Sequence, residues 1–136
     1  MLADLRAVAW RVYPAALDTL GLEEALTAVA EGAGATLWYD VARPPPGPVA
    51  TAVYFVVAET ATNAVKHASP SSVRIEVWRA GDLLRARVGD DGPGGADALG
   101  GGLAGLRRRV AALDGRFTVH SPAGGGTVVE AELPCG

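Results

Sequence analysis

Ala58-Glu59-Thr60-Ala61-Thr62-Asn63-Ala64-Val65-Lys66-His67-Ala68 decides how the rest of this chain is read. It is the second half of a predicted helix that begins near Pro48, where a proline has no intrahelical bond to lose, and no breaker follows before Ser69-Pro70. At the helical turn angle Glu59, Thr62, Asn63 and Lys66 share one stripe, bordered by His67, while Val53, Val57, Ala61, Ala64 and Ala68 gather opposite. One face is therefore core and the other carries groups capable of chemistry. Phe55 and Val56 fall on the polar side of the earlier half, which predicts that another element covers that side and makes it the wall of a cleft. A carboxylate, an amide and an ammonium in this order suit a metal-bound polyphosphate. Asn offers a neutral oxygen to Mg²⁺, Lys a point charge to phosphate, and Glu can orient water or take a proton. Taken alone, the same spacing also describes a solvated helix face.

Outward from that helix, two alternating runs follow. Val73, Ile75 and Val77 alternate with Arg74, Glu76 and Trp78, and after Arg79-Ala80-Gly81-Asp82 the residues Leu84, Ala86 and Val88 alternate with Arg85 and Arg87. This is an antiparallel hairpin with one buried and one charged face. Leu103, Leu106, Val110 and Leu113 then form a helical seam with Arg107, Arg108 and Arg109 facing away, closed by Gly115. Two last strands are expected, with Phe117 and Val119 inward in the first and Val129, Ala131 and Leu133 inward in the second, joined by the loop from Ser121 to Gly126. Upstream, Leu2, Leu5, Val8, Ala9 and Val12 predict a short helix ending near Pro14, and Ala15 to Leu20 can add a turn. A second helix opens at Gly21-Leu22 with Leu22, Leu26, Val29 and Ala30 inward, stopped by Gly32 and Gly34; Ala35 to Val41 is strand-like, and Pro44-Pro45-Pro46-Gly47 is a stiff connector. Strands and helices without a βαβ rhythm predict an α+β fold, a mixed sheet with helices on one face.

At 136 residues the chain is one core-bearing domain or a fragment of something longer. Twelve basic against fifteen acidic residues give a net charge of -3 and no broad basic surface, which argues against electrostatically driven nucleic-acid binding. The single Cys135 cannot form an internal disulfide or a zinc cluster and suits a reducing compartment. No apolar run reaches the ~18 residues of a membrane span, and Met1-Leu2-Ala3-Asp4 lacks the features of a secretion signal. The 18 glycines cluster at 89–105 and 124–126, which marks two special loops.

Two stretches of the first of these loops can carry chemistry. Asp90 sits just past a strand with small neighbours, which places a carboxylate where a flat ligand can reach it. Adenine presents an amino donor to such an acceptor, whereas guanine presents an oxygen. By itself Asp90-Asp91-Gly92-Pro93-Gly94 is also an ordinary tight turn. Gly100-Gly101-Gly102-Leu103 runs into a helix whose unhindered N–H groups and positive end can hold phosphate, or can serve only as a flexible cap. It is neither a Walker loop nor a Rossmann fingerprint.

The ordered combination resembles the ATP-binding catalytic domain of bacterial sensor histidine kinases, in the ATPase superfamily shared with gyrase and the Hsp-type chaperones, over essentially the whole chain. Glu59-x-x-x-Asn63-x-x-Lys66-His67-Ala68 looks like that family's N box, Asp90-x-Gly92-x-Gly94 its first glycine box, Gly100-x-Gly102-Leu103 its second, and Gly124-Gly125-Gly126-Thr127 follows into a strand. Tyr13 to Leu22 resembles the junction after the dimerisation helices in the subfamily with a short lid, and the lid from about Gly95 to Gly101 is short.

The resemblance implies a two-layer, Bergerat-type ATP-binding fold, with residues 1–21 as the end of the dimerisation region and junction and 22–136 as the catalytic domain. It implies that Asn63 ligates Mg²⁺, that Asp90 accepts from the adenine amino group, and that Gly92, Gly94, Gly100 and Gly102 let the lid wrap ATP. Lys66 and His67 would approach the phosphates, Leu103 would lie at the nucleotide, Thr127 would line the base pocket, and Glu59 would be nearest the chemistry. Asp91 stands where Asn is frequent, a change expected to be tolerated in a turn. The only histidines are His67, inside the N box, and His120, on a strand. The chain is therefore expected to bind ATP without phosphorylating itself, the acceptor His lying on helices upstream of residue 1. A response regulator would be the downstream partner, the isolated domain monomeric, and the location cytoplasmic, with a parent that could be membrane-anchored. A related serine kinase of the anti-sigma type and a nucleotide-gated interaction module are the alternatives.

Overall fold

A computed structural model describes Leu17 and residues 21–68, 72–95 and 101–135. The expected helix from Leu2 to Val12, most of the junction before Leu22, and Gly100 lie outside the described residues. The elements are α1 (Leu22–Ala33), β1 (Thr36–Asp40), α2 (Gly47–Asn63) continuing into one π-helical turn (Ala64–Ala68), β2 (Val73–Ala80), β3 (Leu83–Asp90), α3 (Gly101–Ala111), β4 (Arg116–His120) and β5 (Thr127–Pro134).

The five strands form one sheet in the order β1-β2-β3-β5-β4. β1 pairs parallel to β2, and every other neighbouring pair is antiparallel. The expected alternation holds along the hairpin. Val73, Ile75 and Val77 of β2 and Leu84, Ala86 and Val88 of β3 are buried on the side covered by the helices, joined there by Phe117 of β4 and Val129, Ala131 and Leu133 of β5. The opposite face carries Arg85 and Arg87, which pair with Glu132 at 3.1 Å and Glu130 at 3.5 Å. The fold is thus the expected mixed sheet with helices on one face.

α2 lies across β3 and β5, with α1 and α3 packed on either flank. Its buried residues run almost all round, from Val49 through Val57 to Ala61, so it is the central helix of the layer. The expectation for Phe55 and Val56 is met: both are buried, and Arg109 of α3 stacks its guanidinium 4.3 Å from the Phe55 ring centre. That contact corrects the reading of the arginine triplet as facing away. Arg107 likewise donates to the Phe117 carbonyl at 3.0 Å and stacks on the Phe117 ring. Long guanidinium side chains lie along apolar surface while their heads find acceptors, which a polarity pattern does not display.

Three boundaries also differ from expectation. Gly32 lies inside α1, which runs on to Ala33, and Gly34 supplies the left-handed cap whose N–H bonds Glu31 and Ala30. At the end of α3 the left-handed residue is Asp114, φ 61°, not Gly115. Gly115 serves close approach instead, since a Cβ there would come within 2.6 Å of the Glu132 carbonyl oxygen and 2.7 Å of Val110 Cγ1. The regular helix expected through Ala68 gives way after Asn63 to the π-helical turn, a local widening frequent at functional sites.

Candidate functional site

The strand register builds the site from below. Asp90, the last residue of β3, is opposite Val73 at the start of β2 and Thr127 at the start of β5. Side chains alternate along a strand, so Asp90 shares the helix-facing side with buried Val88, and Thr127 shares it with buried Val129. Both are half-buried, an acid and a hydroxyl side by side at one end of the sheet's inner face.

Two loops brace that end. The Asp90 carboxylate accepts the Gly92 N–H at 2.8 Å, and the Asp91 carboxylate accepts the Ser72 N–H at 2.9 Å, tying the chain before β2 to the chain after β3. Asp91 therefore does shape the turn. Across the sheet, the Gly95 N–H donates to the Ser121 carbonyl at 2.9 Å and the Gly124 N–H to that of Pro93. Ser121 Oγ and Thr127 Oγ1 share a hydrogen bond at 2.6 Å.

Gly94 and Gly126 allow the loops to meet. Both have positive φ, 71° and 76°; a Cβ on Gly94 would overlap the Pro122 carbonyl oxygen, and one on Gly126 the Asp90 carbonyl oxygen. Only glycine fits such positions without moving the opposite strand. The sequence assigns a site role to Gly94 but places Gly126 and Ser121 only in the loop and glycine run before β5. A glycine two residues after another in a run of three was the available signal for Gly126.

The helices close the site from above. Residues 69–72 alone separate the end of the π-helical turn from Val73, so the C-terminal end of α2 lies at the same end of the sheet as Asp90 and Thr127. Glu59 and Asn63, both half-buried, belong to that last stretch. The first turn of α3 comes in beside them: a Cβ on Gly102 would stand 2.8 Å from Glu59 Oε1, so the α3 N-terminus and the Glu59 carboxylate adjoin. Leu103 is buried directly behind.

Glu59, Asn63, Asp90, Gly92, Gly94, Gly102, Leu103 and Thr127 are therefore gathered around one end of the molecule. Lys66 is placed differently. It is exposed and lines, with Thr62 and Val65, a groove of about 420 Å³ between α1 and α2. The expected stripe is thus divided, Thr62 and Lys66 turning toward α1 while Glu59 adjoins α3. His67 lies in the π-helical turn, and its side chain is outside what the structure describes. The sequence reading missed one more residue here. Thr60 is 5% exposed, and its hydroxyl is buried without a hydrogen-bond partner.

The donor set bears on metal binding. Among the described residues no three His, Cys, Asp or Glu side chains cluster as a metal cage. One amide and one carboxylate beside a helix N-terminus fit a different case, a Mg²⁺ that keeps most of its shell from phosphate and water.

Known proteins are similar to this chain in sequence and fold. A family profile described as "Histidine kinase-, DNA gyrase B-, and HSP90-like ATPase" matches residues 49–136. The chain is 38% identical over 85 residues to the signal transduction histidine-protein kinase/phosphatase UhpB of Salmonella typhimurium, covering 60% of this chain and 17% of that protein. It is 34% identical over 88 residues to the sensor histidine kinase YdfH of Bacillus subtilis, covering 60% of this chain and 22% of that one. The chain thus spans less than a quarter of the length of these relatives. Among solved structures, the histidine kinase domain of the blue-light activated histidine kinase of Erythrobacter litoralis EL346 superposes with a TM-score of 0.66 at 25% identity, over 85% of this chain and 59% of that one. α1 and β1 precede the matched segment, yet Leu22, Leu26 and Ala30 belong to the same core as α2 and the sheet.

Proposed function

The chain belongs to the histidine kinase-, DNA gyrase B- and HSP90-like ATPase family, and from that premise we propose that it is the ATP-binding catalytic domain of a sensor histidine kinase. It donates the γ-phosphoryl group of ATP to a histidine on dimerisation helices of a longer parent, for relay to a response regulator. Residues 22–136 are the catalytic domain, and 1–21 are the end of the dimerisation-helix region and the junction. The observation that supports this reading best is the register that sets Asp90 beside Thr127, beneath the Glu59–Asn63 end of α2 and the start of α3.

Each residue has a role in that reading. Asp90, its carboxylate oriented by the Gly92 N–H, accepts from the adenine amino group, and Thr127 lines the base pocket. The start of α3 at Gly102 and Leu103, with Gly100 before it, meets the phosphates through N–H groups and the positive end of the helix. His67 would approach the phosphates, Lys66 would have to swing out of its groove against α1 to do so, and Asn63 would hold Mg²⁺, which would offset phosphate charge.

The acceptor imidazole nitrogen attacks the γ-phosphorus in line as the bond to the bridging oxygen breaks, and the electron pair leaves with ADP. The ring gains positive charge, and the Glu59 carboxylate stabilises it by accepting from the other ring N–H. The test is γ-labelled ATP given to the full-length parent. Acid-labile phosphohistidine is expected, and Glu59→Gln lowers its rate by about a hundred-fold or more with ADP affinity retained. Acid-stable phosphoserine on a partner, or no transfer at all, would overturn the assignment.

A further inference from the structure

Four threonines of the described helices can be compared directly. Thr27, Thr51 and Thr62 each turn the hydroxyl back to the carbonyl four residues earlier, on Glu23, Gly47 and Ala58, at 2.8, 2.9 and 2.7 Å. This is the usual resting place for a helical threonine hydroxyl. Thr60 departs from it. Its hydroxyl makes no such bond, although the residue is only 5% exposed and cannot turn to water. A buried hydroxyl left in this state is costly unless something else satisfies it.

The position of Thr60 indicates what that partner is. It lies one residue from Glu59 and three before Asn63. One turn away along the helix are Val56, Val57 and Ala64, all buried at 0%, 0% and 5% exposure, so Thr60 is on the sheet-facing side of α2. At this end of the sheet the helix-facing residues of the two central strands are Asp90 and Thr127. Thr60 thus lies on the sheet-facing side of α2, one turn from the end that meets the Asp90 and Thr127 end of the sheet.

We infer that Thr60 is a second base-reading residue, donating to the adenine ring nitrogen adjacent to the amino group that Asp90 accepts from, directly or through one water. This rests on the ATP-binding reading above. A carboxylate that only accepts, next to a hydroxyl that donates, matches the donor–acceptor edge of adenine. The edge of guanine reverses both signs, and although a hydroxyl can rotate to accept, an ionised carboxylate cannot donate. Thr60 thus adds to the selection that Asp90 begins, and the bound base supplies the partner that the hydroxyl lacks.

The test is titration calorimetry with ADP and with its 1-deaza analogue, in which a C–H replaces that ring nitrogen, on the native chain, Thr60→Val and Thr60→Ser. Valine keeps the volume and removes the hydroxyl, and serine keeps the hydroxyl. Thr60→Val is expected to fold and to bind ADP about three- to ten-fold more weakly, with Thr60→Ser within about two-fold of the native chain. The native chain and Thr60→Val should bind the deaza analogue equally. ADP affinity unchanged in Thr60→Val overturns the inference, as does an equal loss for both nucleotides, which would mark Thr60 as packing only. A native chain that fails to bind ADP would instead overturn the ATP-binding reading itself; binding abolished by Asp90→Asn but untouched by Thr60→Val refutes this inference alone.

Discussion

The two ends of the sheet are made from the same strands and are built in opposite ways. At one end β2 turns into β3 through Gly81 and Asp82, the Cys135 N–H donates to the Asp82 carbonyl at 2.7 Å, and Arg79 donates to the Cys135 carbonyl at 3.3 Å. Short connections there spend their polar groups on one another. At the other end, loops 90–95 and 121–126 hold each other through backbone bonds and two positive-φ glycines at which a Cβ would overlap the facing backbone. That bracing fixes the end of the sheet where Asp90 and Thr127 lie, the same end at which α2 finishes. The first end holds the sheet together, and the second carries the candidate site.

This contrast can be broken experimentally. Leu84 is fully buried in β3 near the turn end, and Leu84→Ala is expected to lower unfolding free energy by about 2–5 kcal/mol in urea titrations. ADP affinity in the fraction that remains folded should change little; a large loss of affinity would mean that the two ends are not separable. Gly94→Ala combines a positive φ with overlap on the Pro122 carbonyl. It should destabilise by about 2–3 kcal/mol and, unlike Leu84→Ala, weaken ADP binding in the folded protein because Asp90 moves with its loop. The smallest effect belongs to the outer face. Arg85 pairs with Glu132 where both are partly exposed, so Arg85→Ala should cost less than about 1 kcal/mol, diminishing with added salt, and leave nucleotide binding untouched.

Much of this was legible because period and alternation record burial. Val73, Ile75 and Val77 against Leu84, Ala86 and Val88 gave the hairpin and its inner face, and Leu103, Leu106 and Val110 gave the seam of α3. The ordered boxes gave the candidate site, which the register gathers at one end. Other features lie outside such patterns. β1 pairs parallel to β2, a choice made by tertiary contacts between segments far apart in the chain. The π-helical turn has the same residue pattern as the α-helix it continues, and the division of the polar stripe, Thr62 and Lys66 toward α1 and Glu59 toward α3, is set by which helices pack on either flank. Thr60 reads as one polar residue among many; only its missing back-bond, beside three threonines that make theirs, sets it apart.

The central claim is that Asp90 reads the base of an adenine nucleotide at the braced end of the sheet. Calorimetric titration of ADP into the native chain and into Asp90→Asn tests it most directly. The account predicts binding to the native chain and a loss of about ten- to a hundred-fold in the variant, the effect of one hydrogen bond to a charged acceptor, with thermal unfolding little changed. Equal affinities in two folded proteins would contradict it.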